Sequence, residues 1–208
     1  MIAVVDYGVG NLYSLLCSLR HIGADCVVTR EEQALRQADK IILPGVGAFG
    51  DAADRLRALR LDGLLQTLAK QGKPLMGICL GMQLLFDVSL EYGEHAGLGL
   101  ISGAVRPLAP ALQKGMKTPH MGWNSLVFLK PEEPLLVGLK PGAFVYYVHS
   151  FYAADCDQAV SAASEYGGVR VPGLVRKNNV CGCQFHPEKS GCAGLHILER
   201  FARGDGSC

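Results

Sequence analysis

The sequence predicts an α/β fold in a single domain, with a mostly parallel central sheet, helices on both faces, and an added β-rich segment in the C-terminal half. Three observations predict it. Up to about residue 87, short apolar runs alternate with segments whose leucines recur at helical spacing, the alternation that builds parallel sheets. From about Gly99 onward, short extended stretches are separated by Pro and Gly, the texture of β-hairpins. A chain of 208 residues that is 49% hydrophobic can bury one sizeable core, and a second full domain would be crowded.

The elements follow in order. Residues 1–6 form an apolar strand that stops at Asp6 and a Gly-rich turn. Residues 11–21 carry Leu12, Leu15, Leu16 and Leu19 at helical spacing. Residues 26–28 read as a second strand, 31–38 as a helix, and 40–43 as a third strand closed by Pro44-Gly45. Residues 51–69 read as one long helical segment interrupted by Gly63, residues 74–79 as a fourth strand, and 80–87 as a helix. In the second half, residues 105–108, 124–129, 144–152, 160–165, 174–177 and 180–185 are extended, and 194–201 form a last helix. Residues 1–203 make the domain and 204–208 a frayed tail.

Composition narrows the function classes. The net charge is +1 with no basic stripe, which argues against a nucleic-acid partner and leaves room for an acidic small substrate in a local pocket. No apolar run approaches the roughly 20 residues of a membrane helix. The start, Met1-Ile2-Ala3-Val4-Val5-Asp6, has no basic leader, so a cytoplasmic location is expected. Eight cysteines in such a chain read as reduced thiols. Cys181, Cys183 and Cys192 leave two readings, a zinc site or packed thiols; the Cys-Gly-Cys spacing and the lack of a second pair favour the thiols. No metal and no cofactor is expected.

The chemistry concentrates in three motifs at strand ends, where the crevice of an open α/β sheet lies. In Gly77-Ile78-Cys79-Leu80-Gly81-Met82-Gln83 a cysteine ends an apolar strand, glycines stand two positions away on each side, and a helix follows. That is the pattern of a nucleophile elbow: the glycines admit close backbone, the helix start favours a thiolate, and the Leu80 N–H can face a developing oxyanion. A buried, inert strand cysteine is the bland reading, and it leaves both glycines unexplained. In Gln184-Phe185-His186-Pro187-Glu188, His186 and Glu188 are two apart and share one side of an extended backbone, so Glu188 can fix the imidazole tautomer and leave the other nitrogen for Cys79. In Pro44-Gly45-Val46-Gly47-Ala48-Phe49-Gly50, the glycines let a peptide turn its N–H into the crevice; the lysine and hydroxyl of a phosphate loop are absent, so Val46 and Gly47 read as oxyanion donors.

These three motifs, in this order, resemble the class I (triad) glutamine amidotransferases over essentially the whole chain. Four further segments, residues 6–12, 119–124, 147–152 and 188–190, resemble the branch of that family formed by the glutaminase subunits of imidazole glycerol phosphate synthase. The resemblance implies a flavodoxin-like sheet and a Cys79–His186–Glu188 triad that hydrolyses glutamine. It implies glutamine contacts at Gly47, Gln83, Glu91, Ser150 and Phe151, with Ser150 and Phe151 standing where relatives often carry threonine and tyrosine. It also implies that ammonia passes to a separate (βα)8-barrel cyclase subunit in a heterodimer, since 208 residues cannot hold a barrel as well. Glu91 has two readings, a partner for the substrate ammonium or a solvated loop acid. Trp123, the single tryptophan, is either a partner anchor or a core residue, and the resemblance favours the anchor; His120, Asn124 and Lys189 are weaker interface candidates. His149 reads as structural. Other readings are a glutaminase serving a sugar-amination pathway, a silent regulatory module, and a cysteine peptidase; the intact Cys, His and Glu oppose the second, and Gln83 with the paired HPE end opposes the third.

Overall fold

The computed structural model describes residues 1–204; residues 205–208, most of the expected tail and including Cys208, lie outside the described residues. The first half builds β1 (Ile2–Val5), α1 (Leu12–His21), β2 (Cys26–Thr29), α2 (Glu32–Gln37), β3 (Lys40–Leu43), α3 (Phe49–Ala58), α4 (Leu61–Lys70), β4 (Leu75–Ile78) and α5 (Leu80–Gln83). Next come β5 (Phe86–Ser89), β6 (His95–Ala96), β7 (Ile101–Pro107), β8 (His120–Ser125), β9 (Val127–Phe128), β10 (Phe144–His149) and β11 (Phe151–Ala154). The chain closes with β12 (Val160–Tyr166), β13 (Val169–Lys177), β14 (Val180–Cys183) and α6 (Gly191–Arg203).

The main sheet runs β2-β1-β3-β4-β14-β13-β12-β9. From β2 to β14 every pairing is parallel, and β13, β12 and β9 extend the sheet antiparallel. Alternation explains the burial. Ala3, Val5, Ile41, Leu43 and Leu75 pack under α2, α3 and α4, whereas Ile2, Val4, Ile42, Met76 and Ile78 pack under α1 and α6. Strands buried on both faces read as continuous apolar runs, which is why the parallel half is plain in the sequence. The order of the parallel strands places a switch point between β1 and β3, and their carboxyl ends deliver Asp6, Pro44, Cys79 and Gln184 to one edge.

Three expected elements differ. The segment 51–69 is two helices, and it breaks at Arg60 (φ 57°), not at Gly63. The buried stripe Phe49, Ala52, Ala53, Leu56 would next place Arg60 in the core, whereas the stripe of α4 begins one residue later at Leu61. The helix expected over 80–87 ends at Gln83. The Leu84 and Leu85 carbonyls accept from the Leu98 and Leu100 N–H groups instead of continuing the helix, and residues 86–89 become β5. The stretch 144–152 is two strands in two sheets, β10 on β8 and β11 on β7, and Ser150 is the junction.

Candidate active site

The elbow forms as its sequence requires. Cys79 follows β4 at φ 54° and ψ −112°, a conformation that costs about 1–3 kcal/mol and must be held by its surroundings. Its N–H donates to the Cys183 carbonyl at 2.8 Å, tying it to β14. A Cβ on Gly77 would lie 2.5 Å from the Gly81 carbonyl oxygen, and one on Gly81 would collide with the Leu43 carbonyl. Both glycines are therefore required by backbone packed against backbone. The Leu80 N–H opens α5, where no intrahelical acceptor reaches it.

His186 is held from two sides. Its N–H donates to the Tyr146 carbonyl at 2.9 Å, and its carbonyl accepts from the Ser190 hydroxyl at 2.6 Å. His186 Nδ1 meets Glu188 Oε1 at 2.8 Å, with both side chains buried. A carboxylate acceptor places the proton on Nδ1 and leaves Nε2 as the nitrogen for Cys79. Burial alone would pull the imidazole down; hydrogen bonding and charge from Cys79 and Glu188 outweigh it and lift His186 to about 10. The imidazolium is thus the stable form at neutral pH. Glu188 Oε2 is buried without a protein partner and lines a small gap with Asn11, Pro44 and Val46.

A cavity of about 380 Å³ opens over Cys79. It brings together Val46, Gly47, Cys79, Leu80, Gln83, Glu91, Ser150, Phe151 and His186, nearly all the triad, oxyanion and glutamine positions read from the sequence. Val46 is exposed, and Gly47 takes φ 97° with open space where a Cβ would stand. Glu91 is 8% exposed, and its Oε2 accepts the Phe49 N–H at 2.8 Å, so it is not a solvated loop acid. Burial pushes its carboxyl above the usual range, and that N–H opposes the shift. The Gln83 amide nitrogen donates to the Phe151 carbonyl at 2.9 Å and to Gln184 Oε1 at 3.0 Å. Both amide hydrogens are used, so its oxygen is left to accept from a ligand.

The cavity also shows what sequence reasoning passed over. Tyr92, Pro119, Val148 and His149 line it, and the Gln184 amide lies 3.8 Å from Cys79 Sγ. Gln184 stands two residues before His186, so strand alternation carried that signal. Tyr92 adjoins Glu91 but carried no spacing signal of its own. The Tyr7 hydroxyl donates to the Pro44 carbonyl at 2.8 Å, tying the end of β1 to the loop of Val46.

The interface candidates do not share one face. In the β8–β10 ribbon Trp123 stands opposite Tyr146, and His149 opposite His120. Alternation turns Met121, Trp123 and Phe144 outward, where each is more than half exposed, and turns His120 inward with Tyr147. Trp123 is therefore not a core residue. His120 is buried between the Tyr147 and Tyr166 rings, and Asn124, on its side of β8, bonds to it at 3.3 Å. Grouping His120 and Asn124 with Trp123 ignored the period of two. Lys189 is exposed on the turn after His186. Cys181 and Cys183 are packed within β14, Cys192 is exposed on α6, and no disulfide joins the seven described cysteines. Among the described residues no group of three His, Cys, Asp or Glu side chains converges as metal ligands would. Among the described residues no helix is long and apolar enough to cross a membrane.

The chain belongs to the class-I glutamine amidotransferases, whose family model matches residues 3–203. Within that class it is similar to the imidazole glycerol phosphate synthase subunit HisH of Bacillus cereus, 50% identical over 201 residues that cover 97% of this chain and 93% of that protein. It is 47% identical to the protein of the same name from Bacillus subtilis (98% and 96% covered) and 44% to that from Oceanobacillus iheyensis (97% and 98%). Among solved structures, a glutamine amidotransferase superposes with a TM-score of 0.74 at 21% identity, covering 97% of this chain and 99% of that one. The structure of PurLQS from Thermotoga maritima superposes with a TM-score of 0.73 at 23% identity, covering 97% of each chain. These two likenesses speak to the fold alone.

Proposed function

We propose that the chain is the glutaminase subunit of an imidazole glycerol phosphate synthase, with residues 1–203 as its amidotransferase domain, working in the cytoplasm without a cofactor. Cys79 attacks the side-chain amide of glutamine. The Leu80 N–H and the Val46 or Gly47 N–H hold the oxyanion. His186 gives its proton to the departing ammonia, then takes one from the water that attacks the thioester, and glutamate leaves. Glu188 keeps the imidazole in the required tautomer. Gly47, Gln83, Glu91, Ser150 and Phe151 hold the glutamine, with Glu91 facing its ammonium. The ammonia passes to a separate (βα)8-barrel cyclase subunit. There the phosphoribulosyl-formimino precursor of histidine biosynthesis becomes imidazole glycerol phosphate and aminoimidazole carboxamide ribonucleotide. Trp123 and Lys189 face that partner.

The observation that carries the reading is identity of 44–50% along nearly the whole chain to proteins of that one name. The triad geometry supports its chemical half. In the resting chain the Val46 peptide turns its N–H away until the cyclase binds its own ligand, and the open space around Gly47 leaves room for that turn. A ligand-bound complex with the Val46 N–H still turned out overturns this switch. The function is tested by mixing the chain with the cyclase and its ligand and following glutamate release. Release that requires both is expected, and no release under those conditions overturns the reading.

A further inference from the structure

Two buried histidines beside the glutamine pocket form a hydrogen-bonded relay whose direction the partners fix. His149 Nδ1 lies 2.9 Å from the Phe151 carbonyl oxygen. A carbonyl only accepts, so His149 carries its proton on Nδ1 and its Nε2 is an acceptor. That Nε2 lies 2.9 Å from His120 Nδ1, which must then be the donor. His120 Nε2 is left to accept from the Asn124 amide at 3.3 Å, and the same amide nitrogen donates to the Glu165 carbonyl at 3.0 Å. Every hydrogen thus points one way, from Asn124 through His120 and His149 to Phe151. Burial pulls both rings down, His120 to about 4 and His149 to about 3, which keeps both neutral as the pattern requires. The His120 ring cannot turn freely, because it is stacked between Tyr147 and Tyr166 at centroid distances of 4.5 and 4.0 Å.

The Phe151 carbonyl needs such a partner. The Leu108 N–H donates to the Ser150 carbonyl at 2.9 Å, so 150 and 108 are the bonded pair of this ladder. Phe151, facing Pro107, is then in a non-bonded pair, and its carbonyl points away from β7. β11 is the edge strand of its sheet, so no neighbouring strand fills that side. The carbonyl is instead bonded by His149 and by Gln83, the residue whose oxygen remains for a ligand.

We propose that His120 and His149 are positioning residues that fix the Phe151 carbonyl, and through it the Gln83 amide, in the geometry that receives glutamine. This rests on the glutaminase reading above, and neither histidine reaches the reacting atoms. The test compares two replacements of His120 in the complete chain mixed with the cyclase and its ligand. His120→Phe keeps the stacked ring and removes both nitrogens. His120→Asn loses the ring and keeps an amide donor where Nδ1 stands. A ring needed only for packing predicts that Phe is tolerated and Asn is not. The relay predicts the reverse: a KM for glutamine raised about three- to tenfold in His120→Phe with kcat little changed, and near-normal KM in His120→Asn. Equal KM in wild type and His120→Phe overturns the proposal. A wild type that hydrolyses no glutamine overturns the glutaminase reading instead. A second measurement needs neither activity nor variant: the imidazole nitrogen shifts of labelled wild-type chain at pH 7. Two neutral rings, each protonated on Nδ1, are expected, and a charged ring or an Nε2-protonated His149 overturns the relay.

Discussion

At Cys79 the backbone holds φ 54° only because Gly77 and Gly81 let the strand, the elbow and the Leu43 carbonyl close on one another. The Cys79 side chain is buried at the floor of the cavity, where it is well placed for attack. Cys79→Ala is expected to remove glutamine hydrolysis by about ten-thousand-fold or more, while ammonia-dependent turnover by the partner continues. Glutamate release and turnover with added ammonium salt, measured on the same complex, check this. The pH profile belongs to His186. With Cys79 and Glu188 lifting it to about 10, the imidazolium that must protonate ammonia persists through neutral pH and is lost as the pH rises through that value. Glutaminase activity is therefore expected to fall on the alkaline side near pH 10. Glu188→Gln removes the carboxylate that favours the imidazolium, so His186 loses its proton at lower pH. Its alkaline limb should move toward neutrality, with kcat reduced by about 10²- to 10⁴-fold. An unmoved limb in a kcat/KM–pH profile, which reports the free enzyme, removes Glu188 from this role.

At the scale of elements, the site is a set of strand ends locked by short backbone contacts. Gly81→Ala tests that lock, because the added methyl would meet the Leu43 carbonyl, and neither α5 nor β3 can yield without moving the elbow. A loss of about 3–5 kcal/mol is expected, read as a lower urea midpoint at unchanged slope. An alanine variant as stable as the parent would mean that β3 and the elbow can slide apart. The same contacts explain what the sequence made legible. Strands buried on both faces, glycines at fixed offsets from Cys79 and the two-residue spacing of His186 and Glu188 are local patterns, and each landed where it was read. The break at Arg60 is also local, written as a one-residue slip of the apolar stripe between Leu56 and Leu61 and not in Gly63. The fate of residues 84–89 was not local: the Leu84 and Leu85 carbonyls leave the helix because residues 98–101 come back to claim them. The division of 144–152 between two sheets depends in the same way on β7 and β8, far off in sequence.

On the scale of the whole molecule, an apolar face among the described residues stays uncovered beside the chemistry. The Tyr146 carbonyl that anchors His186 belongs to the β8–β10 ribbon, whose outer side carries Met121, Trp123 and Phe144, at 60%, 56% and 59% exposure. Trp123 meets Tyr146 edge-on at 5.9 Å, so the ring is braced while its outer face stays open. A braced, exposed tryptophan beside other apolar side chains has the character of an interface hot spot. Its position also suits the task, because an acceptor for ammonia must dock close to where ammonia leaves. Trp123→Ala is expected to weaken association with the cyclase by about 2 kcal/mol, roughly thirtyfold in Kd. It should leave the stability of the isolated chain within about 0.5 kcal/mol, since the ring is not part of the core. Leu59, also exposed, follows α3 at the opposite end of the strands, and Leu59→Ala should leave the Kd unchanged. Calorimetric titration of each variant with the cyclase separates the cases. If both variants bind as the parent does, the partner docks elsewhere; if Trp123→Ala also unfolds early, the ring is structural and the exposed ribbon is not the docking face.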